Sequence, residues 1–381
     1  MPRVAIIADS HYDESKRFAE CVRVHDWIAE DIRQRGVDLA VHTGDVFERK
    51  STPTERTAAA SWAQRIADVC PFVIVRGNHD YDGDLEILGR LERRFPIVVV
   101  ESASCGVYGG VAVAGVAWPR KAQLLARLGS ASQQEGEGAA QQALRNVLLG
   151  LGEELAAHPG PKLLAMHAMV RGSVTSTGQP LVGCDMELGL EDLALAGADF
   201  YALGHIHKSQ TWEVGGAPVV YPGSPRRTAF GEYERKGYVI VNFPEDGGNI
   251  TWEFIETPCT RMEHHEATFA NGTFDVWFPG SVVGAEVRFR YHVQADEREA
   301  AKAQVAAFRE RLLAGGAVSV QVEEIVKAKT RARAPELAAA KTLEEKLAAL
   351  WAARGEELDE ERRARLFAKL AVLEEEMRRA A

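Results

Sequence analysis

Five short polar segments, each placed directly after an apolar run, constrain this chain more than any other feature. They are Asp9-Ser10-His11, Gly44-Asp45, Gly77-Asn78-His79-Asp80, His167 and Gly204-His205-Ile206-His207. The runs before them, residues 4–8, 39–42, 72–75, 163–166 and 200–203, predict buried strands. Polar side chains at the carboxyl ends of several strands of an α/β sheet converge on one edge. In D-x-H and H-x-H, alternate residues of an extended segment point to the same side, so both members of each pair can reach one site.

Further apolar runs at 97–100, 111–116, 219–221 and 238–241 predict more strands, and 15–35, 53–69, 84–95 and 139–158 carry helical patterns. Pro53 suits a first helical turn, with Ser51 or Thr52 as cap. The alternation predicts an α/β domain over residues 1–245, with a polar, mobile loop at 130–138. Beyond it, strands at 251–256 and 286–291, a helix at 297–314 and a strand at 318–326 suggest a small α+β domain over 246–326. A basic linker, 327–340, leads to a helical pair, 341–381, broken at Gly355. Leu343, Leu347, Leu350 and Trp351 stripe its first helix, and Leu366, Leu370, Leu373 and Met377 the second.

Composition narrows the chemistry. Five scattered cysteines without C-x-x-C spacing read as reduced thiols of a cytoplasmic protein, so any metal is held by oxygen and imidazole. No apolar run approaches the roughly 20 residues that span a bilayer, and the first residues read as a strand, not a signal peptide. A net charge of −10 argues against coating nucleic acid by bulk charge. It leaves room for a nucleic-acid enzyme whose cations meet the phosphate.

Two divalent ions about 3.5–4 Å apart need a bridging ligand, and a carboxylate can supply it. Asp45 is the natural bridge. Asp9, His11 and His207 would complete one position, and Asn78, His167 and His205 the other. Such mixed ligands suit Mn²⁺ or Fe²⁺, with Zn²⁺ and Mg²⁺ as alternatives. His42 reads as a packed or supporting histidine, and His25, His158, His264 and His265 as surface or structural ones.

With these motifs, the chain resembles the calcineurin-like metallophosphoesterase superfamily over residues 1–245. More narrowly it resembles SbcD-type nuclease subunits of DNA double-strand-break repair exonucleases, particularly phage and prophage versions. The segment VVYPGSPRRTAFGE at 219–232, following GHIH, carries that narrower likeness. The resemblance implies a four-layer β-sandwich flanked by helices, two manganese ions, a homodimer formed through the nuclease domain, and DNA as substrate. It also implies a capping domain and an SMC-like coiled-coil ATPase partner docked on the terminal helices. One departure stands out: Glu48 occupies the position where these nucleases carry a second catalytic histidine.

His79 is the expected catalytic residue, since it follows ligand Asn78 and an imidazole can protonate a leaving oxygen near neutral pH. Asp80 is expected to orient His79 or a ligand, or to cap a helix, and Glu48 to act on a proton or a water. Arg226 and Arg227 are the expected DNA-phosphate contacts, with Lys327, Lys329, Arg331 and Arg333 as a further basic track. The competing readings are a small-molecule phosphodiesterase or phosphatase, and a non-catalytic scaffold that binds DNA ends.

Overall fold

The computed structural model describes residues 1–120, 133–176, 186–244, 248–275, 281–327, 340, 342–354 and 359–380. Its first strands are β1 (Arg3–Ile7), β2 (Leu39–His42), β3 (Phe72–Val75), β4 (Ile97–Val100), β5 (Ala103–Tyr108), β6 (Val111–Val116) and β7 (Lys162–His167). There follow β8 (Met169–Val170), β9 (Glu187–Leu188), β10 (Phe200–Gly204), β11 (Gln210–Val214), β12 (Ala217–Tyr221), β13 (Gly237–Asn242) and β14 (Thr251–Glu256). Helices α1 (Phe18–Arg35), α2 (Pro53–Ala67) and α3 (Gln133–Ala156) lie between them.

Two six-stranded sheets result, ordered β14-β13-β1-β2-β3-β4 and β11-β12-β10-β7-β6-β5. Strand alternation explains why they stack. Val4 and Ile6 of β1 join Val41, Val73, Leu163, Ala165, Phe200 and Ala202 in one buried cluster fed by both sheets. Ala5 and Ile7 face the other way, into a cluster with Val24 and Ile28 of α1 and Trp62 and Ile66 of α2. Leu144, Leu148 and Leu155 of α3 cover the outer face of the second sheet, against Leu164, Met166 and Leu203. The sandwich is therefore four-layered, as the resemblance implied.

Local chemistry fixes the helix ends. Thr52 caps α2 in a reciprocal capping box with Glu55, and Gly36 ends α1 at φ 63°. The expected helix at 84–95 is instead a series of turns with one 3₁₀ turn, Leu88–Arg90. Leu85 and Leu88, buried three residues apart, suit a threefold turn as well as a helix. Helix α3 already begins at Gln133, inside the stretch expected to be a loop, while residues 121–132 lie outside those described. Strand β14, expected to open the small domain, pairs antiparallel with β13 and extends the first sheet.

The remaining elements are strands β15 (Arg261–Ala270), β16 (Thr273–Phe274), β17 (Ala285–Gln294) and β18 (Ser319–Lys327), with helices α4 (Arg298–Ala314), α5 (Leu343–Arg354) and α6 (Glu360–Ala380). The chain divides into two compact units, one of Met1–Glu266, Trp277–Arg290 and Val305–Glu323, the other of Ala267–Val276, Tyr291–Gln304 and Glu324–Ala381. Val282, Ala285, Val287, Leu312 and Ala317 form a small core within the first. Within the second, Trp351 of α5 meets Phe367 of α6 at 5.9 Å between ring centres. Lys329, Arg331, Arg333, Gly355 and Cys184 lie outside the described residues, and Cys21, Cys70, Cys105 and Cys259 are free thiols. Among the described residues no helix is long and apolar enough to cross a membrane.

Candidate metal centre

The parallel register of β1, β2 and β3 releases three loops side by side. Asp9 N–H donates to the Gly44 carbonyl at 3.0 Å, and His11 N–H to the Asp45 carbonyl at 3.1 Å. Asp9, His11, Asp45 and His205 all hold positive φ (51°, 47°, 58° and 108°). They are four of the six such non-glycine residues among those described. Backbone strain of this kind costs about 1–3 kcal/mol each and persists where the surroundings over-determine it. The glycines are equally constrained. A Cβ on Gly44 would strike the His167 ring, and one on Gly77 the Asp45 carboxylate.

Three side-chain groups meet there, one of them His11, Glu48 and His79. Asp9, His11 and His207 bring one donor atom each within 4.8 Å of one another, and so do Asp45, His167 and His205. Asp45 Oδ2 lies between the groups, 3.8 Å from His11 Nε2 and 3.4 Å from His167 Nε2. The Asn78 amide oxygen lies 2.8 Å from His167 Nε2 and 3.0 Å from His205 Nδ1. The seven residues expected as ligands thus lie close to one another at these strand ends.

Their hydrogen bonds show that the set fits divalent cations. His167 Nδ1 donates to the Thr43 carbonyl at 2.8 Å, turning Nε2 towards Asn78 and Asp45. His11 Nδ1 faces Glu48 Oε2 at 2.8 Å, and His207 Nδ1 faces Glu232 Oε1 at 3.5 Å. Each carboxylate fixes a tautomer and leaves an Nε2 lone pair inward. Those two Nε2 atoms are 2.9 Å apart, a repulsive contact unless a cation or proton lies between. Asp9 Oδ2 is buried with no hydrogen-bond partner among the described residues, a cost that coordination would remove.

Charge follows the same pattern. Burial would raise the Asp45 carboxyl, but the His167 charge and hydrogen bond, then His11, hold it well below the carboxylate range. Burial would lower His167, but Asp45 carries it up to about 9. Burial and the His167 charge press His205 down to about 3. Cation binding must displace the His167 proton below that value. Mn²⁺ affinity is therefore expected to rise about tenfold per pH unit through neutrality and to flatten near 9. Calorimetric titration at several pH values checks this, and a flat profile contradicts it.

The expected catalytic residues separate. His79 is exposed; its Nδ1 donates to the Glu48 carbonyl at 2.7 Å, so Nε2 is the nitrogen left for proton exchange. Its backbone N–H donates to Asp45 Oδ1 at 2.8 Å, which places it beside the metal ligands. The buried Asp80 accepts from the N–H groups of Asp45, Gly77 and Phe47 at 3.0, 2.9 and 2.9 Å. It ties the ligand loops together and caps no helix. Burial, then the Asp45 charge, raises its carboxyl to about 7. The Glu48 carboxylate is held by His11, which lowers it to about 2. Glu48 is thus paired with an expected ligand, with its side chain partly open to solvent. Glu48→Ala is expected to weaken Mn²⁺ binding about ten- to hundredfold, while Glu48→Gln, which still accepts from His11 Nδ1, loses less. Calorimetry distinguishes the pair.

The two arginines correct an expectation. Arg226 is 2% exposed and donates to the His11 carbonyl at 2.7 Å. Arg227 donates to the carbonyls of Glu232 and Glu234 at 2.9 and 3.0 Å, and lies 3.1 Å from Cys259 Sγ. Arg226 Nη2 and Arg227 Nε and Nη2 are spent on backbone carbonyls of neighbouring loops, while Arg226 Nε is buried with no hydrogen-bond partner among the described residues. Arg226→Ala should cost about 1–3 kcal/mol, seen as a lower melting temperature, by stranding the His11 carbonyl. It should leave the salt dependence of DNA binding unchanged, whereas loss of a phosphate contact would lower the slope by about one.

Sequence reasoning missed three residues. Glu232 and the buried Lys236 are 3.0 Å apart, and Lys236 also donates to the His207 carbonyl at 3.1 Å. Trp118, just beyond β6, lies against His205 and His167 at 4.7 and 5.6 Å between ring centres. Glu232 ends the FGE segment and was within sight; nothing local marks Lys236 or Trp118.

Comparisons with known proteins agree with this geometry. Residues 3–246 match the family described as the calcineurin-like phosphoesterase superfamily domain. The chain is 26% identical over 295 residues to the DNA double-strand break repair protein Mre11 of Archaeoglobus fulgidus, covering 68% of this chain and 60% of that protein. It is 24% identical over 282 residues to the SbcD component of the nuclease SbcCD of Bacillus subtilis, covering 66% of this chain and 69% of that protein. A shorter match to Mre11 of Methanopyrus kandleri is 37% identical over 73 residues, covering 17% of this chain and 16% of that protein. Both matches to Mre11 thus span less than two thirds of the relative's length.

Proposed function

The chain belongs to the calcineurin-like phosphoesterase superfamily, and from that premise we propose that it is a manganese-dependent DNA nuclease hydrolysing phosphodiester bonds. The observation that carries the reading is the position of Asp45 Oδ2 between His11 of one ligand group and His167 of the other. Asp9, His11 and His207 would hold one cation, Asn78, His167 and His205 the second, and Asp45 would serve both. When bound, such a pair supplies a water acidic enough to give hydroxide near neutrality, and charge to meet the phosphate.

The remaining work falls to the chain itself. Thr43, Glu48 and Glu232 orient the ligating imidazoles, and Asp80 holds the Asp45 and Gly77 loops together. His79 Nε2 delivers a proton to the leaving sugar oxygen or grips the scissile phosphate. The names of the relatives, a DNA double-strand break repair protein and a nuclease, support DNA as the substrate and repair or recombination as the setting. From the resemblance of the sequence motifs to SbcD-type nucleases we further infer a cytoplasmic homodimer with a capping domain for DNA. Helices α5 and α6 dock on an SMC-like coiled-coil ATPase.

The test is degradation of labelled linear and circular single-stranded DNA in Mn²⁺, beside bis-p-nitrophenyl phosphate and cyclic nucleotides. Mn²⁺-dependent loss of both DNAs supports the nuclease. Cleavage of the small esters alone would instead identify a small-molecule phosphodiesterase. Binding of DNA ends and of Mn²⁺ without any cleavage would identify a scaffold.

A further inference from the structure

Behind the ligand loops lies a buried polar chain that no step above uses. Ser10, between Asp9 and His11, is fully buried, and its hydroxyl lies 2.8 Å from His42 Nε2 and 2.7 Å from His25 Nε2. His25 and His42 are equally buried. The outer partners settle the proton positions. His25 Nδ1 faces the Cys21 carbonyl at 2.7 Å, so it must donate, and His25 Nε2 accepts from Ser10. His42 Nδ1 accepts from Gly44 N–H at 3.2 Å, so His42 Nε2 donates to Ser10. Every polar atom of the chain from α1 to the Gly44 amide is satisfied in a single direction. Trp62 packs on both rings, at 4.8 Å from His25 and 5.8 Å from His42 between ring centres.

The placement gives this chain its meaning. Ser10 sits between two residues in left-handed conformations, and Gly44 precedes a third, Asp45. The network therefore joins the loop carrying Asp9 and His11 to the loop carrying the bridging carboxylate, and anchors both to α1. Strained conformations survive only when their surroundings leave no alternative. A hydroxyl clamped from two sides does this for Ser10, because any rotation of the loop would break two buried hydrogen bonds at once.

We propose that Ser10, His25 and His42 are positioning residues for the dinuclear centre, holding the Asp9–His11 and Gly44–Asp45 loops at the separation that lets Asp45 serve both cations. The inference rests on the dinuclear reading above. It predicts that Ser10→Ala and His42→Phe change how the two cations are held while the seven ligands stay in place. Outer partners of metal ligands commonly contribute about ten- to hundredfold in affinity.

Mn²⁺ alone is the probe, followed by calorimetry and by electron paramagnetic resonance of the full chain. Wild type should bind two ions with an exchange-coupled spectrum. Ser10→Ala and His42→Phe should bind the weaker ion about ten- to hundredfold less tightly and shift the spectrum towards uncoupled Mn²⁺. His42→Gln keeps a donor for Ser10 and should recover part of both properties. Val24→Ala, a cavity in α1 that removes no hydrogen bond of the network, should lower the melting temperature and leave affinity and coupling as in wild type. Wild-type affinity and coupling in Ser10→Ala and His42→Phe would overturn the proposal, and so would equal losses in Val24→Ala. If Ser10→Ala does not fold, the contrast between His42→Phe and His42→Gln decides in the same way. A wild-type protein that binds no pair of ions would sink the dinuclear reading itself, a distinguishable failure.

Discussion

Asp45→Asn is expected to abolish detectable pairing of two Mn²⁺ ions and to reduce phosphodiester hydrolysis about a thousandfold or more. The substitution is chosen for its conservatism. Asp45 sits at φ 58°, a region asparagine tolerates better than alanine does. An amide oxygen can still accept the His79 N–H that Asp45 Oδ1 now accepts. What changes is the other oxygen, which becomes an NH₂ directed between His11 and His167 with no charge to share. Loss of several kcal/mol of charge stabilisation corresponds to about three powers of ten in rate. Titration with Mn²⁺ and initial rates on a phosphodiester check the expectation; wild-type stoichiometry in this variant would contradict the bridging role.

His79→Ala should separate binding from chemistry. The side chain is exposed, and its backbone N–H bond to Asp45 does not depend on the imidazole. Mn²⁺ affinity and melting temperature should stay close to wild type, since exposed substitutions commonly change stability by less than about 0.5 kcal/mol. Loss of a positioned proton donor should slow DNA cleavage about 10²- to 10⁴-fold. Single-turnover rates on labelled DNA at saturating Mn²⁺ give the comparison. An unchanged rate would remove His79 from the chemistry, and a parallel loss of Mn²⁺ binding would make it a ligand instead.

Much of this centre is written in short segments because strand ends impose their own geometry. A residue that follows a buried parallel strand has few places to go, so Asp9, Asp45, Asn78, His167 and His205 could be placed from apolar runs alone. His42, read as a packed or supporting histidine, is buried and accepts from the Gly44 amide. Errors arose where local pattern admits two answers. Leu85 and Leu88 satisfy a turn as well as a helix, and Ser104-Cys105-Gly106 carries no alternation that would announce the edge strand β5.

The arginines show a different limit. A basic pair near a phosphate site invites a functional reading, but whether a guanidinium faces solvent or a buried carbonyl depends on which loops return beside it. For Arg226 the decisive acceptor is 215 residues away, at His11. Lys236 and Trp118 were invisible for the same reason. The identity of the substrate lies further still from the sequence motifs, since the ligand set would serve any phosphoester.

Sharing of Asp45 by two cations would be visible in a crystal. Anomalous diffraction at the manganese edge from crystals grown with Mn²⁺ tests it most directly. Two peaks are expected, one among Asp9, His11 and His207, the other among Asn78, His167 and His205, with the Asp45 carboxylate reaching both. A single peak, or two peaks of which only one contacts Asp45, would contradict it.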